Sequence, residues 1–65
     1  MVSIVIPAYN EANRIASTCK AVWSINAVDE IIVVDDGSTD ETAYNAKNVG
    51  AKVIELYKNS GKGAA

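Results

Sequence analysis

Glu30-Ile31-Ile32-Val33-Val34-Asp35-Asp36-Gly37-Ser38 sets four consecutive β-branched residues between a glutamate and a pair of aspartates. β-Branched side chains are stiff at χ1 and suit a pleated surface, so residues 30–34 predict a strand. Apolar residues at successive positions point to both faces, the pattern of a parallel strand in a sheet covered on both sides. A turn must follow, because Gly37 tolerates positive φ. Ser38 and Glu41 have the spacing of a capping box, which predicts a helix starting there. That helix carries Ala43, Ala46 and Val49 and closes at Gly50, a natural left-handed C-cap.

On the N-terminal side, residues 2–6 form another short β-branched run that ends at Pro7. Asn10 is then placed to cap a helix, with Glu11 favouring its positive end. Ile15, Cys19, Val22 and Ile25 recur at helical spacing with Trp23 beside them, predicting an amphipathic helix to about residue 26. On the C-terminal side, residues 52–57 predict a third strand, residues 58–63 a polar glycine-containing loop, and Ala64-Ala65 the start of a further helix. The order β-α-β-α-β predicts an α/β fold with a parallel three-stranded sheet in the order 3-2-1, joined by right-handed crossover helices. The chain shows no internal repeat and no linker.

Composition narrows the function classes. With 65 residues the chain makes one small domain at most, and chains of about this size bury only about 60% of the surface exposed on unfolding. Both crossover helices of a 3-2-1 sheet lie on one side, so the other apolar face and the edge of the first strand would stay bare. Residues 1–65 are therefore expected to be part of a larger domain, and the isolated chain is expected to self-associate through that edge. Six basic residues, scattered among eight acids, argue against a nucleic-acid footprint. The absence of histidine removes imidazole from any catalytic or zinc proposal, and the single Cys19 allows no internal disulfide. With Cys19 alone a reducing, cytoplasmic setting is expected; the first residues lack the order of a secretory signal, and residues 31–34, the longest apolar run, are too short to span a bilayer.

In an open parallel sheet, ligands bind beyond the carboxyl ends of the strands. Three segments converge there: residues 7–11, 35–38 and 58–63. Tyr9 offers a flat face for a base, a contact worth about 1–3 kcal/mol at other stacking sites. Asp36 would accept hydrogen bonds from a base carrying a ring N–H on its pairing edge, which favours uridine or guanosine ligands. Each residue also has a plainer role. Asn10 and Ser38 serve as helix caps, Gly37 as a turn residue and Tyr9 as an aromatic at a strand end. Cys19 and Trp23 belong to the core, and Lys20, Lys47 and Lys52 to the solvated surface. Lys62, between two glycines, suits either the surface or a phosphate contact. Adjacent Asp35 and Asp36 repel one another and are harder to explain structurally. Neither a Walker A spacing nor a dinucleotide glycine fingerprint is present.

Three motifs in order carry a resemblance over the whole chain: Val2-Ser3-Ile4-Val5-Ile6-Pro7-Ala8-Tyr9-Asn10-Glu11, then Glu30 through Asp40, then Asn59-Ser60-Gly61-Lys62-Gly63-Ala64-Ala65. Together they resemble the start of a family 2 glycosyltransferase of the GT-A fold, whose N-terminal half is Rossmann-like. The last motif is similar to the polyprenyl-phosphate branch, such as dolichyl-phosphate sugar transferases. The resemblance implies that Pro7, Ala8, Tyr9 and Glu11 line a nucleoside pocket. It implies that Asp36 binds the base, that Asp35 supports the turn, and that Lys62 lies near the ribose or diphosphate.

A UDP- or GDP-sugar donor is the implied partner, with a polyprenyl phosphate at the cytoplasmic membrane surface as the implied acceptor. The implied cofactor is Mg²⁺ or Mn²⁺, which would reconcile the crowded acids with an anionic diphosphate. The family's Asp-x-Asp metal motif and catalytic base lie downstream of these residues, so weak nucleotide binding and no catalysis are expected of the 65-residue chain alone. Two other readings compete. In a receiver-like signalling domain the acid pair belongs after the first strand, whereas here it follows the second. A self-associating α/β module without catalysis is the other.

Overall fold

The computed structural model describes residues 1–56. Within them run β1 (Ser3–Ala8), α1 (Ile15–Trp23), β2 (Glu30–Asp35), α2 (Thr42–Asn48) and β3 (Lys52–Glu55). The described strands pair in parallel in the order β1-β2-β3, the order expected from the β-α-β-α-β pattern. Expectations for Tyr57, the 58–63 loop with Lys62, and the helix start at Ala64 fall outside the described residues.

Register follows from side-chain alternation. Ile4 pairs with Ile31, Ile6 with Val33 and Ala8 with Asp35, while Val33 also pairs with Val53, so these residues share one face. That face meets both helices: Ile31, Val33, Cys19 and Ala46 are fully buried in one cluster with Ile15. The opposite face carries Val5, 60% exposed, and Ile54, 50% exposed, flanking half-buried Ile32 and Val34. Two crossovers thus cover one side of the sheet only. Burial raises the Cys19 thiol above its ordinary pKa, as for a small apolar core residue.

Several boundaries differ from the sequence expectation. β1 continues through Pro7 to Ala8 rather than ending before the proline. The carbonyls of Val2 and Ala8 both point to the β2 side, bonding Asp29 and Glu30 N–H and Asp36 N–H respectively. Even-numbered residues therefore face the ladder, and the N–H that Pro7 lacks would have faced the open edge, where proline is tolerated.

The first helix begins at Ile15 rather than beside Asn10. Residues 12–14 form a turn in which the Glu11 carbonyl receives the N–H groups of both Arg14 and Ile15. It also ends at Trp23, where the Ser24 hydroxyl and N–H fold back onto Ala21 and Lys20 carbonyls, so Ile25 lies outside the helix and is 54% exposed. The second helix begins at Thr42, and Ser38 does not cap it. Asp40 instead accepts the Thr42 N–H at 3.0 Å. Gly50 does close α2 with φ of 89°, and Gly37 takes φ of 76°.

Candidate functional site

The carboxyl ends of β1 and β2 bring two loops side by side. The N–H of Asp36 donates to the Ala8 carbonyl at 2.9 Å, which extends the strand ladder into the loops. Above that bond opens a hollow of about 290 Å³ lined by Pro7, Ala8, Tyr9, Glu11 and Asp36. Tyr9 is 49% exposed and Asp36 lies on the surface, so both can meet a ligand from solvent. Asp35 stands apart from this lining. It is 3% exposed, and its carboxylate accepts both the N–H of Ser38, at 3.1 Å, and the Ser38 hydroxyl. The adjacent acids therefore face different environments, one folded into the turn and one at the rim.

The loop after β1 is built on Asn10, which adopts φ of 50°. A left-handed conformation costs a non-glycine residue about 1–2 kcal/mol, least for Asn, whose amide can bond locally. Here it offsets that cost across the cleft: its N–H donates to Ser38 Oγ at 2.8 Å and its Oδ1 accepts the Thr39 N–H at 2.9 Å. The following N–H groups are held the same way, Glu11 on Thr42 Oγ1 at 2.8 Å and Ala12 on Asp40 Oδ2 at 3.2 Å. Asn45 Nδ2 returns a bond to the Ala12 carbonyl at 3.0 Å. The sequence suggested caps at Asn10 and Ser38 and gave no role to Asp40, Thr42 or Asn45. The density of short polar side chains in Ser38-Thr39-Asp40-Glu41-Thr42 was the available signal, because such residues compete with helices for backbone groups.

Charge at the rim is partly compensated. Arg14 Nη2 lies 2.8 Å from Glu11 Oε1, a solvent-screened pair across one turn. The Thr42 hydroxyl, together with the Thr42 and Ala12 N–H groups, holds the Asp40 carboxyl below the usual aspartate range. Among the described residues no three carboxylate or thiol groups converge to hold a cation. Glu11 and Asp36 share the hollow but do not by themselves make a ligand set. Among the same residues no helix is long and apolar enough to cross a membrane.

Residues 3–65 match the sequence profile described as Glycosyl transferase family 2. The chain belongs to glycosyltransferase family 2. A glucosyl-3-phosphoglycerate synthase of Mycolicibacterium smegmatis is 46% identical over 55 residues, covering 82% of this chain and 18% of that protein. A 4,4'-diaponeurosporenoate glycosyltransferase of Staphylococcus aureus is 40% identical over 58 residues, covering 89% of this chain and 16% of that protein. Among solved structures, glucosyl-3-phosphoglycerate synthase from Mycobacterium tuberculosis, in complex with Mn²⁺, UDP-glucose and glycerol 3-phosphate, superposes with a TM-score of 0.73 at 42% identity. The match covers 82% of this chain and 20% of that one. The family 2 chain thus spans about a fifth of the length of these relatives, and its three parallel strands and two helices match the N-terminal part of the GT-A structure of the Mycobacterium tuberculosis enzyme.

Proposed function

We propose that residues 1–65 form the donor-nucleotide-binding part of a family 2 transferase that moves a sugar from a UDP- or GDP-sugar to an acceptor. The observation that carries this reading is the shared hollow: Tyr9 and Asp36, from different loops, line one cavity with Pro7, Ala8 and Glu11 at the carboxyl end of a parallel sheet. Tyr9 stacks on the base and Asp36 accepts its ring N–H. Pro7 and Ala8 form the floor, Glu11 closes the rim, and Asp35 holds the turn that carries Asp36. Lys62, outside the described residues, serves the ribose or diphosphate.

Because a relative's structure holds UDP-glucose and Mn²⁺, uridine is the first base to test and Mn²⁺ the first cation. The cation's ligands lie beyond the described residues, as does the catalytic base. A polyprenyl phosphate at the cytoplasmic membrane face is the acceptor we favour, on the Asn59-Ser60-Gly61-Lys62-Gly63-Ala64-Ala65 motif. The two named relatives carry unlike acceptors in their names, a phosphoglycerate and 4,4'-diaponeurosporenoate, so the family alone leaves the acceptor open.

The test uses the protein expressed from its complete reading frame, titrated with UDP, GDP, UDP-glucose and GDP-mannose in the presence of Mn²⁺. Binding of one nucleotide series, with loss in Tyr9→Ala and Asp36→Ala, supports the reading. Failure of both series to bind overturns it.

A further inference from the structure

Three successive backbone N–H groups, those of Asn10, Glu11 and Ala12, end on three side chains of the β2–α2 segment: Ser38 Oγ, Thr42 Oγ1 and Asp40 Oδ2. We propose that Thr42 is the positioning residue of the hollow. Its hydroxyl, aimed by Asp40, fixes the Glu11 peptide and with it the Tyr9–Glu11 wall. This role rests on the reading of the hollow as the donor-nucleotide site.

Thr42 is fully buried, although it is polar and opens a helix. Its hydroxyl donates to Asp40 Oδ1, which turns its lone pairs toward the Glu11 N–H 2.8 Å away. A hydroxyl has one proton and can serve both partners only in this orientation, accepting from Glu11 while donating to Asp40. The other oxygen of Asp40 holds Ala12, so one carboxylate and one hydroxyl set two consecutive peptides.

The geometry next door explains why such a clamp matters. Asn10 sits at φ of 50° between Tyr9 and Glu11, two residues that line the hollow. A strained residue between two ligand-facing side chains keeps them in place only when the surrounding bonds over-determine it. Ser38 and Thr39 hold Asn10 itself, and Thr42 holds the peptide on its far side. With the Thr42 bond removed, the wall relaxes and the ligand must bear the cost of ordering it, which appears as lost affinity.

The experiment measures the Kd for UDP and GDP with Mn²⁺ by calorimetry on the protein from its complete reading frame, below the onset of melting of every variant. Thr42→Val keeps the side-chain shape and removes the hydroxyl; Thr42→Ser keeps the hydroxyl. The expected result is a Kd raised about tenfold in Thr42→Val and within about twofold of wild type in Thr42→Ser. Exposed Asp40→Asn sets an amide donor or a weaker acceptor against the Ala12 N–H. It should raise the Kd about threefold, which keeps the test open if the valine variant does not fold. A purely structural Thr42 would lower the melting temperature and leave the Kd unchanged, overturning the positioning role alone. Wild-type protein that binds neither nucleotide overturns the donor-site reading, and this role with it.

Discussion

The indole N–H of Trp23 donates to the backbone carbonyl of Val49 at 2.9 Å, tying the last residue of α1 to the C-cap of α2. The ring also lies against Gly50, where an added Cβ would sit 3.8 Å from two ring atoms, an ordinary contact. Replacing Trp23 by Phe is expected to cost about 1 kcal/mol, because the Val49 carbonyl loses its partner. Gly50→Ala is expected to cost about 1–2 kcal/mol, from backbone strain at φ of 89° rather than from a clash. Urea titration of both variants checks the two figures, with an unchanged slope showing that the unfolded state is not altered.

Ser38→Ala removes a hydroxyl that donates to buried Asp35 and accepts from Asn10. The expected destabilisation is about 1–3 kcal/mol, the range for leaving a buried polar group short of a partner. An alanine variant as stable as wild type would show that the Ser38 N–H alone satisfies Asp35.

Acid should loosen the loop clamp. The Asp40 carboxyl is held below its ordinary value, chiefly by the Thr42 hydroxyl, so the folded pKa is lower than the unfolded one. Its stabilisation is then fully present above the unfolded value of about 3.9 and is lost as pH falls through the folded value. Amide signals of Ala12 and Thr42 should shift together below about pH 4, and Asp40→Asn should abolish that titration. Ala12 signals that stay fixed while the Asp40 carboxyl carbon itself titrates would contradict the bond.

The 65-residue chain alone is expected to bind UDP or GDP more weakly than micromolar, because Glu11 and Asp36 put negative charge into the hollow that an anionic ligand must approach, with no cation set among the described residues to offset it. A calorimetric titration with Mn²⁺ giving micromolar affinity would overturn this.

Self-association of the same chain is expected through the open edge of residues 2–6, where β1 has β2 as its partner on one side only among the described residues; Val5, 60% exposed, stands on the bare sheet face beside that edge. Val5→Lys should shift light scattering toward monomer. Wild-type protein that stays monomeric at high concentration would remove the proposal.

Much of this was legible along the chain. The residue 31–34 run, the helical spacing of Ile15 and Cys19, and Gly50 fixed the element order and the parallel pairing, because hydrophobic period and glycine's φ freedom are local properties. The approach of Tyr9 to Asp36 was also readable, since strand ends in a parallel sheet share one side. The helices begin at Ile15 and Thr42, so their starts are not legible at Asn10 or Ser38. Each has the chemistry of a cap, and cap chemistry serves equally to bind a neighbouring loop.

What the sequence by itself determined, then, is the order of strands and helices and which residues stand at the carboxyl edge. Only the tertiary structure decided which partner each short polar side chain takes. Ser38 and Thr42 have donors and acceptors that could serve their own helix, yet bond the loop 28–31 residues away, and Asp40 serves both, one oxygen to each. The choice between them is made by the distance across a folded cleft, a quantity that no local pattern contains.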